Sequence, residues 1–376
     1  MPRREIVQIM ADSQMIAELK DAPGIVAPDM SRPRDPSSVR CLVKKLGLKL
    51  GDQTEFDIRR VKRGKGYSFI RANGKAVRDA ATIKRFNAMA VPPAYVEVRY
   101  ASDPASHLQA VGRDAAGRLQ YRYHPDWEKV RETRKARRLA RLIEVLPKIR
   151  RSVAQHLGND SPTREFALAA VIELVARTAI RPGNESYAKL NGTRGATTLL
   201  KSNVAIEDDC IVLAFRAKGN KAVRKECDAA RLVRAVDVLR KLPGRRLFQY
   251  RDDNGAVRTV NTAQVNAFLR EIAGIRISLK DFRTLMASAA VLESLARVVP
   301  AESVRGRRKQ VLEAVRAAAD ELSNTPTICR KSYVHDTIVT AFEGGILERF
   351  ALTLKGCRSP AKREQILAKV VLAAAA

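Results

Sequence analysis

The chain has 376 residues, with 70 lysines and arginines against 40 aspartates and glutamates, a formal net charge of +30. That length suggests about two domains, and 45% hydrophobic residues with only 20 glycines and 16 prolines rule out a chain that is low-complexity throughout. Such a charge repels itself unless a polyanion balances it, which makes nucleic acid the leading partner.

Membrane insertion is not expected, since no stretch approaches the ~18 apolar residues of a spanning helix. The run FALAAVIELVA at 166–176 is short and contains Glu173. The N-terminal residues carry charge where a signal peptide would be apolar, so the expected location is cytoplasmic, at the nucleoid. Cys41, Cys210, Cys227, Cys329 and Cys357 never fall in CxxC spacing, and His107, His124, His156 and His335 are dispersed. Neither a metal site nor a cofactor is expected.

In chain order, residues 1–38 read as a mobile extension, because proline and serine interrupt any period. Residues 39–128 read as a small, mostly β domain. Asn73-Gly74 is a favoured hairpin turn pair, a short helix at 82–89 stops before Pro92-Pro93, and YVEVRYAS, HLQAVGRD and GRLQYRYH read as strands, the last two separated by the turn DAAG. Residues 129–376 read as a larger, mainly α-helical domain. Leu139, Leu142, Ile143, Leu146, Ile149 and Val153 keep helical spacing, and Pro147 is expected to kink or restart that helix. Further helices are predicted near 163–178, 183–190, 229–241, 262–273, 280–297, 301–322 and 326–345. Between them, residues 210–227 read as a β-hairpin with Lys218, Gly219 and Asn220 at its tip. The fold class is therefore α+β, with a closure hinge expected near 124–132.

The basic runs RRVKRGKG (59–66), RETRKARR (131–138) and RGRRK (305–309) are each consistent with a solvated face. Tyr121, Tyr123 and Trp127 lie between two of them, and aromatic rings beside phosphate-binding cations favour a nucleic-acid surface. No GxxxxGK[ST] segment is present, and Asp208-Asp209 and Asp252-Asp253 read as turn residues rather than metal ligands. Backbone cleavage without a metal needs a nucleophile, cations for the transition state and an acid for the leaving oxygen. Tyrosine, arginine and lysine can supply all three.

Five segments, LQAVGRDAAGRLQYRYHPDW (108–127), ARTAIRPGNESYAKLNGTRGATTL (176–199), FRAKGNK (215–221), LKDFRT (279–284) and LSNTPTICRKSYVHDTIV (322–339), together resemble the type IB DNA topoisomerases of the bacterial and poxvirus branch, over about residues 40–345. The resemblance implies a monomer that relaxes supercoiled duplex DNA without ATP or metal, by transient cleavage of one strand through a 3′-phosphotyrosyl link, rotation and religation. It implies Tyr333 as the nucleophile, Arg181 and Arg283 on the scissile phosphate, Lys218 as the general acid, and Asn324, where poxvirus relatives have histidine, as a hydrogen-bond donor to the phosphate. It also implies DNA contacts at Gln120, Tyr121, Tyr123 and Tyr187. A guanidinium suits the phosphate sites because its planar fork meets two oxygens at once. Pro182 is expected to begin a helix whose N-terminus would favour an anion beside Arg181. Tyr121 and Tyr123 share strand parity, which fits a DNA face or a core face equally. Leu285-Met286 depart from the family's aromatic-containing pair.

The nearest alternative is a tyrosine recombinase or integrase, a family that usually places histidine where Lys280 stands, three residues before Arg283. A non-catalytic DNA-binding relative is the other alternative.

Overall fold

The computed structural model describes residues 39–64, 66–357 and 359–373. The expected N-terminal extension lies outside them. The described chain forms two compact units, one ending at Arg131 and the other beginning at Glu132.

The first unit holds α1 (Val39–Lys45), β1 (Ile58–Arg63), β2 (Gly66–Arg71), α2 (Ala80–Ala88), β3 (Val96–Tyr100), β4 (Leu108–Arg113) and β5 (Leu119–Tyr123). The strands form one antiparallel sheet in the order β2-β1-β3-β4-β5. Ile58, Phe69, Val98, Tyr100 and Ala110 form its core face. The Asp79 side chain caps α2 by accepting from the Thr82 amide at 2.7 Å, and Phe86 of that helix packs against Phe69 and Tyr100 at 4.9 and 4.5 Å between ring centroids. Burying side chains of this size contributes ~2 kcal/mol each toward holding this nine-residue helix on the sheet. Asn73-Gly74 makes the expected tight turn, with the Gly74 amide donating to Arg71 O at 3.0 Å, but its outgoing arm adds only an isolated bridge between Ile70 and Ala76.

A long helix, α3 (Trp127–His156), begins in the first unit and continues into the second. Of the residues expected to form a hinge, 127–132 are helical, and the helix runs on through Pro147 without restarting. Its apolar stripe is the expected one, with Leu139, Leu142, Ile143, Leu146, Ile149 and Val153 all buried.

The second unit continues with α4 (Arg164–Thr178), α5 (Glu185–Asn191), β6 (Val204–Glu207), β7 (Cys210–Ala217), β8 (Lys221–Cys227), α6 (Ala230–Arg240), β9 (Gln249–Arg251), β10 (Val257–Thr259), α7 (Thr262–Ala273), α8 (Leu279–Leu295), α9 (Val304–Glu321), α10 (Pro326–Ser332), α11 (Asp336–Glu343), α12 (Glu348–Lys355) and α13 (Pro360–Ala373). The apolar run at 166–176 is the core of α4, buried on every side from Phe166 to Ile172 and packed by α6, α7 and α8. Among the described residues no helix is long and apolar enough to cross a membrane. β7 and β8 form the expected hairpin, closing on Ala217 opposite Lys221. Gly219 and Asn220 at its tip both take the left-handed conformation that the short loop requires.

In each basic run one arginine makes a structural contact, while Arg59, Lys62, Arg63, Arg134, Arg308 and Lys309 are exposed, as on a solvated face. Residues 59–63 belong to β1, where the Arg60 guanidinium donates to Val91 O, Pro92 O and Tyr95 O at 2.9, 3.0 and 2.8 Å. In α3, Arg138 pairs with Asp281 at 2.6 Å. In α9, Arg307 donates to Ala301 O and Glu302 O.

Candidate active site

Four of the expected residues meet where α4, α8, α9 and α10 end or begin. α4 stops at Ala179, which takes a left-handed conformation (φ 49°) with its amide on Val175 O. The chain then runs extended through Arg181. Pro182 does not begin a helix: α5 starts at Glu185, capped by Asn184, whose side chain accepts from the Tyr187 amide at 3.0 Å. Backbone pairing positions Arg181 instead, with the Ala196 amide donating to Arg181 O and the Thr197 amide to Pro182 O, both at 2.8 Å. A Cβ on Gly195 would lie 2.6 Å from Arg181 O and from Gly183 Cα, so this approach requires glycine there.

Arg283, on the second turn of α8, is 1% exposed. One Nη donates to Ala179 O and the other to Leu322 O at 3.1 Å, which ties the ends of α4 and α9 together. Its Nε is buried and has no partner. After α9 the chain turns at Ser323 (φ 51°) and delivers Asn324, which is 8% exposed. The Asn324 Oδ1 accepts from Arg181, and its Nδ2 is buried without a partner. The Arg283 Nε and the Asn324 Nδ2 are thus buried N–H donors without a hydrogen-bond partner, a costly state that an anion would relieve.

Tyr333 lies at the end of α10. That helix starts as expected, with Thr325 as N-cap and Pro326 at its first position. The single helix expected over 326–345 is instead two: α10 ends at Ser332 and α11 starts at Asp336, with Tyr333 as C-cap in a non-helical conformation (φ −125°, ψ −28°). The Tyr333 ring has the Arg283 guanidinium carbon 4.9 Å and the Lys280 Nζ 5.9 Å from its centroid. Burial raises the phenol pKa, but Arg283, Lys280 and Arg181 together outweigh it and hold it below the ordinary tyrosine value. Burial, reinforced by Arg283, likewise lowers Arg181.

Lys218 is exposed at the hairpin tip. The hairpin arms approach the cluster: Phe215, Ala217 and Val223 line a small cavity together with Arg181 and Arg283. Leu285 is buried and Met286 packs on the same core, so the departure there is absorbed as packing.

Tyr187 is 44% exposed on α5. In the first unit, Gln120 donates to Asp114 at 2.9 Å. Tyr121 packs partly on the cluster of Phe56, Ala101, Leu108 and Val111, while Tyr123 is 40% exposed and stacks on Trp127 at 6.1 Å and 15°. The shared face therefore serves as core at one tyrosine and as surface at the other.

The catalytic-core model of eukaryotic DNA topoisomerase I matches residues 124–349, and the model of the bacterial DNA topoisomerase IB N-terminal domain matches residues 66–114. The chain belongs to the type IB DNA topoisomerases. It is 30% identical over 259 residues to DNA topoisomerase 1B of Acanthamoeba polyphaga mimivirus, covering 67% of this chain and 77% of that protein. It is also 25% identical over 236 residues to DNA topoisomerase 1B of Vaccinia virus (strain Western Reserve), covering 62% and 72%. In this topoisomerase, sequence reasoning did not find the residues that brace the break after Tyr333. Ser288 Oγ donates to Tyr333 O at 3.0 Å, Lys135 Nζ donates to Val334 O at 2.8 Å, and the fully buried His335 lies against the Glu132 carbonyl at 3.1 Å. The available signal was the order His335-Asp336-Thr337, an acid placed to open a new helix.

Proposed function

We propose that this topoisomerase relaxes duplex DNA through a 3′-phosphotyrosyl link to Tyr333, with residues 39–128 as a clamp and 129–376 as the catalytic domain. The observation that carries the assignment is the convergence of Tyr333, Arg181, Arg283 and Asn324 in a buried, cationic pocket. The Tyr333 phenol gives its proton to solvent, an ionisation that Arg283, Lys280 and Arg181 favour, and its oxygen attacks the scissile phosphorus in line as the bond to the 5′-oxygen breaks. Arg181, the Arg283 Nε and the Asn324 Nδ2 donate to the non-bridging oxygens as negative charge builds on them. Lys218 gives the departing 5′-oxygen its proton, reaching the groove from the flexible hairpin tip. The free 5′-hydroxyl end then rotates and attacks the phosphotyrosine in reverse, taking back the bond and returning the proton. The exchange conserves phosphodiester bonds, so the step itself needs no ATP, and Arg181, Arg283 and Lys218 supply the positive charge and the acid that a metal would otherwise provide.

Asn324 does not titrate, so this donor contributes no pH dependence of its own. Gln120, Tyr121, Tyr123 and Tyr187 serve as DNA contacts, and the +30 charge supports a grip on phosphates rather than bases and a place on the nucleoid. Arg181, Arg283, Asn324 and Tyr333 meet within one chain, and action as a monomer is part of this proposal. Lys280 at the position where recombinases usually carry histidine weighs against the recombinase reading. Trapping the cleaved complex on a nicked duplex, digesting it and locating the nucleotide-bearing peptide by mass spectrometry tests the assignment. The expected adduct is on Tyr333 through a 3′-phosphate; an adduct on another residue, or a 5′-link, contradicts it.

A further inference from the structure

We infer that His335, seconded by Lys135, is a positioning residue for Tyr333: it fastens the chain break after α10 to α3 and so sets the angle at which the phenol is presented. This inference rests on Tyr333 being the nucleophile. The break contains neither glycine nor proline, so side chains must satisfy the backbone that α10 and α11 leave open. His335 does this in two directions. Its Nδ1 accepts from the Thr337 amide at 3.4 Å and so caps α11, which leaves the proton on Nε2 to donate to Glu132 O on α3 at 3.1 Å. Capping alone is done better by serine, aspartate or asparagine. Only a side chain as long as imidazole also reaches α3, and this one is 0% exposed. Lys135, one turn along α3, makes a second tie at Val334 O, 2.8 Å away. Together the two ties fix both residues that follow Tyr333, and neither touches a reacting atom.

The charged groups facing His335 are Glu132 and Lys135 from α3, Arg330 from α10 and Asp336 from α11. Burial and Lys135 keep the imidazole neutral, the state in which Nδ1 can accept and Nε2 can donate.

The test is single-turnover cleavage of a nicked duplex by the full chain, with DNA affinity and melting temperature measured alongside. His335→Asn retains the acceptor that caps α11 but is too short for Glu132 O, whereas His335→Gln reaches it. His335→Asn is expected to slow adduct formation about 10- to 100-fold, the usual effect of a small misplacement of a reacting group, with DNA affinity unchanged. His335→Gln should recover most of that rate although it caps the helix less well. Lys135→Met should show the same separation of rate from affinity, and it carries the test if His335→Asn does not fold. Wild-type rates in the folded His335→Asn or Lys135→Met variants overturn the proposal, as does a rate loss in His335→Asn that His335→Gln fails to recover. Tyr333→Phe, run in parallel, keeps the two readings apart: an adduct formed by that variant refutes the nucleophile itself, whatever His335 does.

Discussion

Arg60 in the N-terminal sheet and Arg283 on α8 are both withdrawn from solvent, and both donate to backbone carbonyls, yet they end in different states. Arg60 satisfies three carbonyls and lies 4.3 Å over the Tyr67 ring. Arg283 satisfies two, keeps a buried Nε without a partner, and sits beside a phenol and two further cations. The first arginine is complete as it stands and closes a loop. The second carries an unmet hydrogen bond in a low-dielectric pocket, which makes it ready for an anion. Residue type and charge are identical, so what separates these two arginines is the buried donor that Arg283 has left over beside the Tyr333 phenol.

Substitutions can break that comparison. Arg283→Ala should lower the single-turnover cleavage rate about 10³-fold, the scale of losing a preorganised donor to a developing charge. Arg283→Lys should recover little, since an ammonium cannot reproduce the fork. Lys218→Ala should cost about 10²- to 10⁴-fold in cleavage, and a substrate whose 5′ leaving atom is sulfur, which departs without a proton, should restore most of it. Failure of that restoration would remove Lys218 as the acid.

The fold carries a smaller, pH-dependent effect. His335 is held neutral, its pKa pushed down from 6.5 to about 4 by burial and then by Lys135. The unfolded chain therefore binds the extra proton first. The contribution is fully present above pH 7 and is lost progressively between about pH 6.5 and 4, amounting to about 3 kcal/mol. Urea melts across that window should show the loss in wild type and a flatter profile in His335→Gln. Arg60→Met is the counterpart in the other unit: it should cost about 1–3 kcal/mol of stability by leaving carbonyls unpaired, visible as a lower melting temperature, with the cleavage rate per folded molecule unchanged.

What the sequence discloses depends on how local its cause is. The stripe from Leu139 to Val153, the apolar run of α4 and the hairpin with Lys218 at its tip follow from periodicity and turn chemistry, and the structure has each of them. The break at Tyr333 is not legible in this way. Val334, Ile338 and Phe342 continue a helical apolar pattern across it, and the groups that enforce the break, Lys135 and Ser288, lie 199 and 45 residues away in sequence. Arg181 was expected beside a helix N-terminus because Pro182 favours one, but the Asn184 cap moves that start to Glu185. The run from Arg59 resembles a solvated charge patch because the carbonyls that claim Arg60 belong to a loop more than thirty residues on.

The central claim, that Tyr333 performs metal-independent strand transfer, is tested most directly by plasmid relaxation in EDTA without nucleotide, with wild type and Tyr333→Phe side by side. The account predicts that wild type relaxes positive and negative supercoils alike while Tyr333→Phe binds the plasmid and leaves its linking number unchanged. Relaxation by Tyr333→Phe, or a wild type that works only when a divalent metal or ATP is restored, would contradict it.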